Sequence, residues 1–518
     1  MILIPSGQFV QGDLRSEFGD VPPAFLPLGN RPLYVWQIDV LRDSFPDDRI
    51  IMSVPETFNL EPSSERELSR LGCDVVKVPS SLSLAESILL VLNISGFDPA
   101  APLRILHGDT YVPSLPLGKD LIGIASSKDQ YEWQFADVNA RHSVDIWCGY
   151  FSFSNVPEFV RSLAISRGSF VGAVQRYAES ISTNFVPISG WMDSGHLNTY
   201  FRVREQFTTE RHFNNLVVKE GSVTKSGSPS RKIRAEANWF NALPGDLRVY
   251  APQLLFRDDL RAEYRIEYLP MPPLNELYVH GRLSVPFWEQ VFGYCDKWFS
   301  KARVSASGGA DTSLLRHELV SVKTWDRLEQ LRQVSQVDLD RPLKINGMEA
   351  PSLRCIVEQC IGVAESAPYI EGVMHGDFCF SNIILDSRAG RIRLIDPRGI
   401  EGTDSQLLVG DLLYDLAKLA HSAVGFYDLI IAGMFDVEGD LRSGEVTLEI
   451  HVSSLQKEIA ELFLSRGFLG VSQGDIKAVM AIVVLLFISM VPLHADVAER
   501  QLAFVANAVR IYREYLGD

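Results

Sequence analysis

Short apolar runs separated by amphipathic stretches mark the first two hundred residues. MILIP (1–5), RIIMSV (49–54), CDVVKV (73–78), LRILHGD (103–109) and LIGIAS (121–126) have the length and composition of strands. Between them, 33–41 and 83–92 carry helical periodicity. Alternation of this kind predicts an open, mostly parallel α/β sheet. The pattern then changes. LVVKEGSVTK (216–225) predicts a hairpin turning at Glu220–Gly221, followed by a helix over 231–242 and strands around 249–256 and 264–268. From Val285 onward the chain reads as mainly helical, interrupted by strands at 383–396. These shifts predict a domain over 1–205 and a second over 206–518, the latter split into a β-rich lobe (206–275) and a helical lobe (276–518).

At 518 residues the chain is long for one core, which agrees with this division. A hydrophobic content of 46% indicates globular folding. The net charge of −16, without a basic run, argues against a nucleic-acid partner. Six scattered cysteines without CxxC spacing fit a reduced, cytoplasmic chain. The N-terminal MILIPSG lacks a basic lead and is expected to be a first strand, not a signal peptide. The run 478–491 is shorter than the roughly 20 residues of a spanning helix and is expected to be buried in protein, so no membrane partner is predicted.

Chemistry concentrates in HGDFCFSN (375–382) and LIDPRG (394–399), which pack Asp377, Asn382 and Asp396 into twenty residues. One carboxylate can orient a hydroxyl, while an amide and a second carboxylate offer hard oxygens to magnesium. These segments resemble the HxDxxxxN loop and metal-binding aspartate of the aminoglycoside and choline phosphotransferase family. The resemblance spans roughly 206–518. It implies Asp377 as base, with Asn382 and Asp396 holding Mg²⁺ against ATP. A lysine–glutamate pair for the ATP phosphates is then expected. Lys225 and Glu236 fit it, with Lys219 as competitor beside the turn. By the same resemblance Asn214 and Asn215, in the turn 211–215, would cover the phosphates, and Glu267 and Leu269 would form the adenine hinge. Asp411, in GDLLYDLAKL, is expected to buttress the catalytic loop.

The N-terminal half carries PSGQFVQGDLR (5–15), FLPLGNRPLYVWQIDVL (25–41), Asp109 after a strand, and Asp193 in GWMDSGHLNTY. Together these resemble sugar-phosphate nucleotidyltransferases. The resemblance implies that Gly7, Gly12 and Arg15 approach nucleotide phosphates and that Asp109 and Asp193 hold a second magnesium. One departure is Ala24, where the family carries a lysine; Arg15 or Arg31 would have to replace that charge, and the two side chains are not equivalent. Residues 80–88 resemble a base-contacting helix start or a plain N-cap. The aromatics of 147–155 fall where the family forms its acceptor pocket, or they belong to the core.

The expected fold is therefore α/β: a Rossmann-like, mostly parallel nucleotidyltransferase sheet followed by a bilobal protein-kinase-like α+β domain. The joint expectation is a bifunctional enzyme. It would phosphorylate a small alcohol, amine or sugar with Mg-ATP and couple the phosphomonoester to a second NTP, CTP or another. Similar pairings supply activated precursors for capsule or lipopolysaccharide. The alternatives are a single-function kinase with a degenerate N-terminal sensor and a non-enzymatic interaction protein. Homo-oligomerisation is left open.

Overall fold

The computed structural model describes residues 1–129, 131, 134, 145–207, 214–305, 312–402, 404–471 and 476–517. The chain divides into two compact units, Met1–Thr208 with His280–Leu283, and Thr209–Val279 with Ser284–Asp518.

Unit 1 is built on a seven-stranded sheet ordered Asn184–Pro187, Leu121–Ser126, Asp145–Phe153, Leu103–Leu106, Ile2–Pro5, Ile50–Pro55, Cys73–Val78. Ile2–Pro5 pairs in parallel with both Ile50–Pro55 and Leu103–Leu106. Asp145–Phe153 is antiparallel to both its neighbours. The central strands are buried along their whole length, as a sheet covered on both faces requires. Helices Leu84–Ser95, Val156–Ile165 and Phe170–Ser180 supply core partners such as Ile88, Phe159 and Tyr177. The chain leaves Ile2–Pro5 in one direction of sheet order and Leu103–Leu106 in the other, so a crevice opens at their carboxyl ends. Within this unit the 280–283 segment lies beside the first helix: the Arg282 N–H donates to the Phe18 carbonyl at 2.7 Å.

The strand Asp145–Phe153 was not foreseen. Tyr150, Phe151 and Phe153 are at most 1% exposed and belong to the core. Trp147 is partly buried against the same core. Ser83 caps Leu84–Ser95 in a capping box with Glu86.

Unit 2 begins with an antiparallel sheet ordered Asn214–Lys219, Ser222–Gly227, Glu263–Glu267, Leu254–Asp258. Its first hairpin turns at Glu220 and Gly221, both at positive φ (51° and 71°), the conformation of a two-residue type I′ turn. Ser230–Ala242 packs on this sheet through Ile233, Glu236, Ala237 and Phe240. The rest is helical, but it holds a second four-stranded sheet (Pro342–Ile345, Met348–Ser352, Phe435–Asp440, Glu445–Ile450) absent from the sequence expectation. Its first turn is Asn346–Gly347, a strong hairpin signal.

Ile476–Met490 runs on through a 3₁₀ turn to His494, giving 19 residues of apolar helix instead of ending at Pro492. Its central window is 72% buried, packed against Leu353–Ser366, Leu412–Ala423, Lys323–Ser335 and Ala498–Tyr515. It is the central helix of a protein core.

Candidate active sites

In unit 2 the hairpin Ile383–Asp386 and Arg391–Leu394 sets the geometry of the candidate site. Ile383 pairs with Leu394, so Asn382 lies opposite Ile395, whose N–H donates to the Asn382 carbonyl at 3.0 Å. Asp396 follows at once, at φ 56°, a left-handed conformation that Asp tolerates better than most residues. The hairpin thus brings the ends of two separate motifs together.

Two carboxylates meet on Lys225. Its ammonium donates to Glu236 at 2.6 Å and to Asp396, while the Tyr264 hydroxyl donates to Glu236 at 2.8 Å. Lys225 and Glu236 are 6% and 0% exposed. Burial pulls the lysine's pKa down, but the charges of Asp396 and Glu236 more than reverse this and hold it protonated. Burial raises Glu236 against the opposing pull of Lys225. Lys219 stands out at the turn beside Glu220 and takes no part.

Asp377 is held from two sides. Lys418 Nζ reaches one carboxylate oxygen at 2.8 Å, and the Asn382 amide reaches the other at 2.9 Å. The Asn382 nitrogen also donates to the Asp377 carbonyl, so its amide oxygen is the group left to offer a cation. Lys418 escaped the sequence reading, although it lies in the singled-out segment GDLLYDLAKL.

The buttress was misassigned. Asp411 caps Leu412–Ala423 and forms a buried ion pair with Arg316. The loop at 375–382 is braced by Asp415, which accepts the His375 and Gly376 N–H groups at 2.7 Å each. Burial pushes Asp415 up to about 7, partly offset by those two bonds. His375 is buried, depressed to about 4 by desolvation, and packed edge-on to Trp239. It is a neutral loop-anchoring residue.

At the expected hinge, the Glu267 N–H donates to the Gln253 carbonyl and the Tyr268 N–H to the Gly221 carbonyl. The Glu267 side chain pairs with Arg393 at 2.9 Å. Those amides are engaged in the sheet, so a hinge contact to adenine would fall to Leu269 and beyond. Asn214 and Asn215 pair through backbone with Gly227 and Ser226, while 211–213 lie outside the described residues. Beyond Gly399, Glu401 pairs with Arg231, and Asp404 caps Ser405–Leu408.

In unit 1 Asp109 stands just past Leu103–Leu106, at the crevice. The short strand Met192–Asp193 pairs with Thr110–Tyr111, and the Ser194 N–H donates to the Asp109 carbonyl at 2.8 Å. This places both carboxylates around Gly195: a Cβ there would lie 2.6 Å from an Asp109 oxygen and 3.2 Å from an Asp193 oxygen. Asp193 is further bonded by the Gly195 N–H, His196 and Thr199. Burial and the Asp193 charge raise Asp109 to about 6. Two carboxylates crowded this way are a fitting pair for a divalent cation, which would relieve their repulsion. Among the described residues no cluster of three His, Cys, Asp or Glu side chains forms a metal cage, so nucleotide phosphate and water would complete either shell.

A pH signature follows. A cation needs Asp109 ionised, so Mg²⁺ binding should release close to one proton per ion at pH 5 and almost none at pH 8. Calorimetry in buffers of different ionisation heat, on an Asp396→Asn background that silences the other site, measures this. Proton release independent of pH would remove Asp109 from the site.

Gly7 occupies a position where a Cβ would lie 2.5 Å from Val78 Cγ2. The loop therefore needs glycine there for close packing. Gly12 begins the helix Gly12–Phe18 at φ 56°. Arg15 pairs with Asp20 at 2.6 Å on the surface. Ala24 is fully buried in the turn Pro23–Phe25, its N–H bonded to Ser6 Oγ.

Unit 1 is thus a mostly parallel α/β sheet with helices packed on it, and unit 2 joins a small antiparallel sheet to a larger, mainly helical part. Solved structures similar to the chain include the following. A nucleoside-diphosphate-sugar pyrophosphorylase from Vibrio cholerae is 13% identical, with 39% of this chain and 99% of that one covered and a TM-score of 0.34. An inositol-1-phosphate CTP transferase from T. maritima is 14% identical over 40% and 95%, with a TM-score of 0.29. A choline kinase from Streptococcus pneumoniae is 14% identical over 60% and 93%, with a TM-score of 0.36. No family model and no curated protein matches the sequence. The functional reading rests on the site residues themselves.

Proposed function

We propose that the chain is a bifunctional enzyme. Unit 2 phosphorylates a small hydroxyl compound with Mg-ATP, and unit 1 joins that phosphomonoester to a second NTP with release of pyrophosphate. The NDP-activated product suits capsule or lipopolysaccharide synthesis in the cytoplasm. The observation that carries this reading is the double restraint on Asp377, by Lys418 and Asn382, together with the Lys225–Glu236–Asp396 group.

Asp377 accepts the acceptor hydroxyl's proton as its oxygen bonds to the γ-phosphorus and the bond to the ADP oxygen breaks. Lys418 keeps Asp377 ionised and fixes its direction. Lys225, positioned by Glu236, contacts the α- and β-phosphates. Asn382 and Asp396 would hold magnesium, whose contribution when bound is neutralisation of phosphate charge. In unit 1, Asp109 and Asp193 would hold the ion that screens the NTP phosphates from the attacking phosphate.

One observation favours a single-function kinase instead: Ala24 is buried, Arg15 is tied to Asp20 and Arg31 lies over the Trp36 ring, so both arginines that could replace the lysine's charge are engaged elsewhere. The test is a pair of assays on the full chain. ADP formation from Mg-ATP is followed over a panel of small alcohols, amines and sugars, and pyrophosphate release is then followed with the phosphorylated product and CTP, GTP, UTP or ATP. ADP without pyrophosphate from any NTP would establish the single-function reading. Neither product would refute both.

A further inference from the structure

The helix Leu412–Ala423 carries Tyr414, Lys418 and His421 at spacings of four and three, which places them on one stripe. All three are buried, at 2%, 9% and 1% exposure. Lysine is almost never fully buried without a partner. Lys418 has one in Asp377, 2.8 Å away. One turn earlier, Tyr414 accepts a hydrogen bond from Lys323 Nζ at 3.4 Å. One turn later, neither ring nitrogen of His421 has a hydrogen-bond partner. That ring lies against Tyr427 and Phe487, at centroid distances of 4.4 and 4.1 Å, in the field of Lys418, Asp377 and Lys323. A buried imidazole with two open nitrogens is a group still owed a ligand or water.

Lys323 reaches the stripe from a second element. It opens the helix Lys323–Ser335 directly after the π-helical turn Glu318–Val322. Such turns concentrate at functional sites because they re-aim the side chains that follow. The charges around the stripe are uneven. Tyr414 feels Lys323, Lys418 and Arg398, with Asp377 as the opposing charge. Asp377 is matched by Lys418, and Asp415 is turned to two backbone amides. Lys323 and Arg398 are left to face the stripe. An ammonium-bearing acceptor would meet two cations there; the neighbouring Asp428 bonds Ser422 and is pushed up to about 7 by burial, so it offers only part of a counter-charge.

We infer that the acceptor is a small anionic alcohol, a hydroxy acid or polyol bearing a carboxylate or phosphate, with its charged end at Lys323 and Tyr414 and its reacting hydroxyl at Asp377. This rests on the kinase reading of unit 2. His421 bonds a second hydroxyl of the acceptor. The transfer balances as before: the acceptor oxygen bonds to the γ-phosphorus, the phosphorus–oxygen bond to ADP breaks, and the hydroxyl proton passes to Asp377.

The experiment uses the full chain with Mg-ATP and four groups of probe. These are glycerate and gluconate, glycerol 3-phosphate, the neutral glycerol and ribitol, and the cationic choline and ethanolamine. ADP formation and thermal shift are both read. The expected result is turnover and stabilisation with an anionic group, the first two arms telling carboxylate from phosphate. Lys323→Met should then raise the acceptor KM about tenfold or more, the weight of a charge-assisted bond, with the ATP KM unchanged and with rescue by Lys323→Arg. Preference for a neutral or cationic probe overturns the inference while leaving the kinase standing. So does a Lys323→Met effect confined to the ATP KM, which would assign these cations to the nucleotide. No ADP from any probe overturns the kinase reading itself.

Discussion

Asp377→Asn should lower ATP-dependent phosphorylation by about 10²- to 10⁴-fold, the range for loss of a positioned base, while leaving pyrophosphate release from pre-phosphorylated acceptor intact. The same change removes the counter-charge of Lys418, which is 9% exposed. The variant should therefore also lose stability, on the order of 1–3 kcal/mol. Pairing it with Lys418→Met separates the two effects. The double variant should recover most of the lost stability, because no lone charge stays buried, and should recover no activity. A double variant no more stable than Asp377→Asn would mean that the 2.8 Å contact contributes little. Wild-type phosphorylation by Asp377→Asn would end the assignment of the base.

Asp109→Asn should abolish pyrophosphate release and spare phosphorylation, yet make unit 1 more stable at neutral pH. The sign follows from the folded pKa of about 6, raised by burial and by Asp193. A raised carboxylate stabilises the fold in its protonated form, fully below the unfolded value near 3.8, and that contribution disappears as pH rises through about 6. Asparagine carries no such charge. Its advantage should be small near pH 4 and reach about 3 kcal/mol above pH 7, about two pKa units at about 1.4 kcal/mol each. Thermal melts across this range, without and with Mg²⁺, measure it. The wild type should gain from Mg²⁺ where the variant does not. Loss of both activities in Asp109→Asn would undermine two separate sites.

The elements legible in the sequence were those with a local signature. Cys73–Val78 and Leu121–Ser126 have the bounds that their apolar runs predict, and the hairpin at Glu220–Gly221 follows from its turn. Asp145–Phe153 was illegible because both its faces are buried, so it lacks the alternation that marks a half-exposed strand. The Asn346–Gly347 turn was legible and was overlooked amid helical surroundings. At the site, motif spacing disclosed Asp377, Asn382 and Asp396, because one hairpin carries them. Lys418 was hidden for a different reason. It reads as an ordinary helix lysine until the fold brings it to Asp377, 41 residues back in sequence. Asp411 and Asp415 are one turn apart on the same helix start, and only the hydrogen bonds tell the loop brace from the cap.

The short segment His280–Leu283 gives the order of events during synthesis. Unit 1 takes four of its residues from beyond the β-rich lobe of unit 2, so the ribosome must have released the chain through Leu283 before unit 1 has all its pieces. Until then the Phe18 carbonyl lacks the Arg282 amide it receives in the finished protein. Domains usually mature from the N-terminus as they emerge. Here the first half waits on part of the second, so the earliest-made unit is completed only after a later lobe has already left the ribosome.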